Sequence, residues 1–225
     1  MTQERWTEVD RYLDNLLLSP DPVLEAVLGA SSAAGLPTVN VAPNQGKLLH
    51  LLVLACGART VLEIGTLGGY STIWLARSLP SSGHLVSLET DPRHAAVARE
   101  NIARAGLSDT VEIVLGPALE SLPKLKAQQR PPFDLVFIDA DKPSTAAYFT
   151  WSLQMSHVGT VIVVDNVVRG GRVCEPESVD PNVQGMRHFL DNVAVEPRVS
   201  ATAVQTVGVK GYDGFLLAVV TSADG

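Results

Sequence analysis

From Thr60 onward the chain alternates short apolar runs with longer stretches of helical period, and this alternation constrains the fold more than any other feature. The runs are Thr60–Gly65, His84–Thr90, Val111–Gly116, Phe133–Ala140 and Thr160–Val167. Their cores, VLEI, LVSLE, VEIVL, DLVFID and VIVVD, are rich in β-branched residues and lack strict in-out alternation, as expected of parallel strands covered on both faces. Helix candidates separate them at Tyr70–Leu79, Pro92–Ala105, Ala118–Gln129 and Ser144–His157. A βαβα order demands right-handed crossovers between parallel strands. After a further helix near Val183–Asn192, Val199–Val209 and Gly214–Val220 are joined only by Lys210-Gly211-Tyr212-Asp213, a turn so short that it must link antiparallel neighbours. The expected fold is α/β: a doubly wound, Rossmann-like sheet, mostly parallel, with one antiparallel strand in the edge region.

Upstream of Thr60 the period is helical throughout. Glu4–Leu18 places Val9, Leu13, Leu16 and Leu17 on one face, Asp21–Ala34 repeats the pattern, and a third helix follows Pro43 and stops at Gly57. We therefore expect one domain over residues 1–225, with an N-terminal helical cap over 1–57 and an α/β core over 58–225.

Composition narrows the partners. Hydrophobic residues are 46% of the chain and charged residues 18%, enough apolar material for a core and unlike a disordered chain. A formal charge of −7 has the wrong sign for neutralising phosphates, so nucleic acid is not an expected partner. Cys56 and Cys174 lack the spacing of a metal or redox motif, which fits a reducing cytoplasm. The start MTQERWTEVDR is charged where a secretion signal is apolar, and the run Leu48–Cys56 falls well short of the ~18 residues that span a bilayer.

In open α/β sheets ligands bind beyond the carboxyl ends of the strands, where strand order reverses. The first strand runs into Glu63-Ile64-Gly65-Thr66-Leu67-Gly68-Gly69-Tyr70-Ser71, and the second ends in Glu89 followed by Asp91-Pro92. A carboxylate at Glu89 suits a ribose diol. The glycine pattern departs from G-x-G-x-x-G, with Leu67 where a pyrophosphate would need glycine, and Glu63 would disfavour a pyrophosphate but favour an ammonium or sulfonium. A tight turn without a ligand stays open on these residues alone. The fourth strand ends Asp139-Ala140-Asp141-Lys142 and the fifth Asp165-Asn166. Neighbouring strands lie ~4.8 Å apart, so two carboxylates side by side call for a cation between them. With the Asn166 amide oxygen they form a hard three-oxygen set suited to Mg2+ or a similar ion, and Lys142 is the adjacent candidate base. Helix capping by the two acids is the plainer alternative.

The ordered blocks VAPNQGKLL, VLEIGTLGGYSTIWLA, LETDP, GPAL, DLVFIDADK, VIVVDNV and GYDGF resemble the cation-dependent S-adenosylmethionine O-methyltransferases, the group containing catechol and caffeoyl-CoA O-methyltransferases, over about residues 39–220. The resemblance implies that Glu63, Gly65, Thr66 and Ser71 hold the methionine end of S-adenosylmethionine, Glu89 the ribose and Ala118 the adenine surroundings, with Val41 closing over it. It implies that Asp139, Asp165 and Asn166 are metal ligands, that Asp139 also meets the cofactor, and that Lys142 is the general base. The acceptor would be a phenolic small molecule with vicinal hydroxyls, and such enzymes are often homodimers. Two departures bear on the acceptor: Arg169-Gly170 stand where many caffeoyl-CoA enzymes carry Trp-Asn, and Asn44-Gln45-Gly46 replace Asp-Glu-Gly. A nicotinamide-dependent oxidoreductase and a non-catalytic cofactor-binding protein are the rival readings. The five histidines form no ligand pair and Cys174 falls in a long loop, so these are read as surface or packing residues.

Overall fold

The computed structural model describes residues 2–222 of the chain. Three helices, α1 (Gln3–Leu17), α2 (Pro22–Ala33) and α3 (Pro43–Cys56), precede β1 (Thr60–Ile64). Then come α4 (Tyr70–Ala76), β2 (His84–Glu89), α5 (Pro92–Arg104), β3 (Val111–Leu115), α6 (Ala118–Ala127), β4 (Phe133–Ile138), α7 (Thr145–Gln154), β5 (Ser156–Asp165), α8 (Pro181–Val195), β6 (Val199–Gly208) and β7 (Gly211–Val220). The strands form one sheet in the order β3-β2-β1-β4-β5-β7-β6. All pairings from β3 to β5 are parallel, and β7 runs antiparallel to both β5 and β6. The reversed strand thus lies one place in from the edge. Strand order reverses between β1 and β4.

The sequence explains the main starts. Asp21-Pro22, Asp91-Pro92 and Asp180-Pro181 each open a helix, the carboxylate accepting main-chain N–H groups of the first turn while proline needs no partner there. One apolar cluster, including Leu62, Val86, Phe149 and Phe189, fills one face of the sheet; another, including Val27, Leu49, Ile73 and Phe137, fills the other beneath the N-terminal helices. The amino ends of β1, β4 and β5 are fastened by Asp134, whose Oδ2 accepts from Arg59 N (2.7 Å), Thr60 N (2.8 Å) and Thr60 Oγ1 (2.9 Å), and whose Oδ1 meets His157 Nε2 at 2.9 Å.

Two boundaries and one helix face differ from expectation. β5 begins at Ser156, because Thr160 Oγ1 accepts from His157 N (2.9 Å) and donates to Phe133 O (2.7 Å), drawing residues 156–159 onto β4 instead of into α7. The final hairpin turns on Val209-Lys210 alone, with Gly208 opposite Gly211, so Tyr212 and Asp213 belong to β7. The apolar stripe of α1 is not buried: Val9, Leu13, Leu16 and Leu17 are 47%, 39%, 64% and 72% exposed. The residue that anchors this helix is Asp10, whose Oδ1 accepts from Asn44 Nδ2 (3.0 Å) and Oδ2 from Val209 N (2.6 Å). No helix among the described residues is long and apolar enough to cross a membrane.

Candidate active site

The crevice opens where β1 and β4 end. Gly65 has φ +102°, and a Cβ there would lie 2.1 Å from the Asp139 carbonyl oxygen, so only glycine lets the two strand ends touch. A cavity of about 950 Å3 covers this junction. It runs from Glu89 and Ala118, past Val41, Gly65, Thr66 and Ser71, to Asp139, Lys142, Asn166 and Arg169. That volume accommodates a nucleoside-sized ligand with a small second molecule.

At the β2 end the loop is held from below. Leu67 takes φ +49°, a left-handed conformation rarely adopted by branched side chains. Glu89 fixes it: Oε2 accepts from Thr66 N (3.3 Å) and Leu67 N (2.8 Å), and Oε1 from Asp91 N (2.9 Å). The carboxylate read as a ribose ligand is therefore also the anchor of the glycine-rich turn. Glu63, expected at the methionine end of the cofactor, is not on the cavity wall. It lies fully buried behind the loop, accepting from Ser71 Oγ (2.6 Å), Ser87 Oγ (2.6 Å) and the Thr72 hydroxyl. It holds Ser71, which does line the cavity, in place. Burial pushes its carboxyl up to about 7 against the pull of the three hydroxyls, with the negative charge of Asp139 adding to the rise.

At the β4 and β5 end, Lys142 Nζ donates to Asp139 Oδ1 at 2.7 Å, and both side chains are largely shielded. Asp165 lies buried under Asn166, its Oδ1 accepting from Asn166 N at 2.8 Å. Burial and then the neighbouring Asp139 push the Asp165 carboxyl up to about 7, while Lys142, Asn166 N–H and the Gln45 side chain draw it down. Lys142 thus pairs with Asp139 and acts on Asp165 through its charge alone. Asn166 itself has φ +60°, tolerated by asparagine, and lines the cavity. Among the described residues no three His, Cys, Asp or Glu side chains are grouped to hold a metal. The donor set is two acids and one amide oxygen, a hard-oxygen set that fits a divalent cation retaining water or ligand oxygens.

Several supporting residues escaped the sequence reading. Gln45 reaches Asp165 from α3. Tyr148 donates to Asp141 Oδ1, while Asp141 Oδ2 accepts from Ser144 N (3.2 Å), which shapes the turn that carries Lys142. Burial is the first cause of the raised Tyr148 phenol. Gly185 lets α8 pack on that turn, since a Cβ there would lie 2.4 Å from the Lys142 carbonyl oxygen. Gln45 lay inside the NQG block, a local signal; Tyr148 and Gly185 act through tertiary contacts that leave no short-range signature. Both cysteines are free and exposed and, like the histidines, stand outside the cavity wall.

The model of a family described as O-methyltransferase matches residues 19–219. The chain belongs to this O-methyltransferase family. It is 53% identical over 213 residues to a catechol O-methyltransferase of Mycobacterium tuberculosis, covering 95% of each chain. It is 49% identical over 220 residues to a catechol O-methyltransferase of Niastella koreensis, covering 98% of this chain and all of the relative. The crystal structure of a Bacillus cereus O-methyltransferase in complex with SAH superposes with a TM-score of 0.97 at 56% identity, covering 98% of this chain and 100% of the other. The resemblance read from the ordered sequence blocks is borne out for the family, and the doubly wound sheet with its reversed strand for the fold.

Proposed function

We propose that this O-methyltransferase moves the methyl group of S-adenosylmethionine to one hydroxyl of a catechol-like small molecule, at a site completed by a divalent cation, Mg2+ in the first instance. The observation that carries the reading is the Asp139–Lys142 pair on the cavity wall, with the carboxyl of buried Asp165 near enough to feel both charges, at the opposite end of the cavity from Glu89. The names of the two relatives support the acceptor class, and the SAH complex of the Bacillus cereus protein supports the methyl donor.

In this reading Glu89 binds the ribose, Ala118 faces the adenine, and Gly65, Thr66, Ser71 and Val41 enclose the methionine end; Glu63 contributes by fixing Ser71. Asp139, Asp165 and Asn166 hold the cation, which supplies Lewis acidity to a vicinal diol. Lys142 Nζ, steered by Asp139, accepts the proton from the hydroxyl to be methylated. The walls orient that oxygen behind the methyl carbon and keep water out, and such positioning can lower a barrier by about 7 to 11 kcal/mol. The exposed apolar stripe of α1, Val9, Leu13, Leu16 and Leu17 with Tyr12, is assigned to a second copy of the chain. Two exposed free cysteines fit a reducing cytoplasm.

The test is methylation of a panel of vicinal and single phenols with and without EDTA. Turnover of the vicinal diols that EDTA abolishes and Mg2+ restores is expected. Full turnover in EDTA removes the cation, and preference for single phenols removes the catechol class. Sedimentation showing only monomer at micromolar concentration removes the dimer.

A further inference from the structure

The wall of the cavity carries five charged side chains: Glu89, Asp139, Asp141, Lys142 and Arg169. Four are satisfied within the chain. Glu89 accepts from three main-chain amides, Asp139 and Lys142 pair with each other, and Asp141 takes Ser144 N and the Tyr148 hydroxyl. Arg169 is the exception. Among the described residues its guanidinium has no hydrogen-bond or ion-pair partner, and its Nε is closed off from solvent. A guanidinium N–H closed off from solvent without an acceptor is costly, and the group that a guanidinium binds best is a planar oxyanion.

The backbone makes the same point independently. Arg169, Gly170 and Gly171 run through φ +55°, +65° and +88°, a left-handed turn whose first position carries the long side chain instead of a third glycine. Asp213 holds it there, one carboxylate oxygen accepting from Val168 N (3.0 Å), Arg169 N (2.9 Å) and its own neighbour Gly214 N (3.0 Å). A conformation unfavourable to side chains, retained at a cavity wall and braced from behind, marks a side chain placed for a ligand. Its position says which ligand. Arg169 follows β5 beside Asn166, whereas Glu89 ends β2, three strands away in the sheet. Arg169 thus lines the Asn166 end of the cavity, the acceptor end in the reading above.

We infer that Arg169 is a specificity-determining residue that selects catechol-like acceptors bearing a carboxylate on or near the ring; this rests on the acceptor reading proposed above. Calorimetry in the presence of SAH compares binding of protocatechuate and of catechol to the wild-type chain and to Arg169→Ala, Arg169→Asn and Arg169→Lys. Asparagine removes the charge while tolerating the left-handed turn, so a folding defect confined to the alanine variant leaves the test intact. The wild-type chain should prefer protocatechuate, and the ratio of the two affinities should fall about tenfold or more in Arg169→Ala and Arg169→Asn, with lysine retaining part of it. A ratio that the substitutions leave unmoved overturns the inference. So does an equal loss of SAH affinity, which assigns the guanidinium to the methyl donor. Methylation assays on the same pair separate the two readings. Preferred binding of protocatechuate without methyl transfer to either compound sinks the proposed reaction and spares Arg169, whereas transfer to both with an unmoved ratio does the reverse.

Discussion

The two ends of the sheet treat their carboxylates in opposite ways. At the amino ends of β1 and β4, Asp134 meets two main-chain amides, a hydroxyl and His157, and these donors hold its carboxyl below the usual range although partial burial opposes them. At the carboxyl ends, Glu63 and Asp165 are buried more deeply and both are pushed up to about 7. The same strands thus carry a fastening at one end and a set of acids in conflict with their surroundings at the other. Where partial burial is matched by amides and an imidazole the carboxyl stays ionised, and where burial is deeper hydrogen bonds do not offset it.

The largest expected effect lies at the strained end. Asp139→Ala and Lys142→Ala should each lower kcat by about 100-fold or more while the thermal midpoint stays close to that of the wild type. A collapse of the fold in either would show that the two ends do not differ in kind. Asp134→Ala should do the converse, costing about 2 kcal/mol in denaturant unfolding because several shielded donors lose one charged acceptor, with kcat nearly unchanged. An unaltered unfolding midpoint would remove the fastening.

Acid and base sharpen the contrast with smaller effects. The Glu63 carboxyl rises on folding, so its contribution to stability is present at low pH and is lost as pH climbs from about 4.5 towards 7. Glu63→Gln removes that dependence, and unfolding curves of the two proteins should diverge across that interval. Asp134 is lowered on folding, so its contribution is present above the unfolded value of 3.8 and is lost as pH falls through the folded one. His157, raised first by Asp134, stabilises below 6.5 and ceases to do so as pH passes its folded value. With its side chain 41% exposed, that last effect should stay under about 1 kcal/mol after solvent screening and shrink further in salt. Parallel titrations of wild type and His157→Ala would expose a larger one.

Much of this was legible in the sequence. The five apolar runs gave the parallel strands because β-branched segments bounded by Gly, Asp or Asn punctuate the chain so regularly, and the paired acids stood out because strand ends are where such sheets place ligands. The cluster of Asp139, Lys142 and Asn166 on one cavity wall, with Asp165 beneath, follows the spacing read from DADK and DN. What stayed hidden depended on depth and on partners distant in sequence. Glu63 looks like a loop carboxylate until Ser87 of the next strand is seen to grip it. The α1 stripe has helical period, but periodicity does not say which surface it meets, and the inward residue proved to be Asp10. Tyr212 and Asp213 were read as turn because their polarity hides the pairing that Gly208 and Gly211 begin.

Gly65 carries one more consequence. Because the peptide of Asp139 rests directly against it, the ends of β1 and β4 meet at the cavity as main chain on main chain. Side chains around the rim can change which molecules enter. How near the two strand ends come to one another is set instead by backbone contact, which no exchange of rim side chains can widen or narrow.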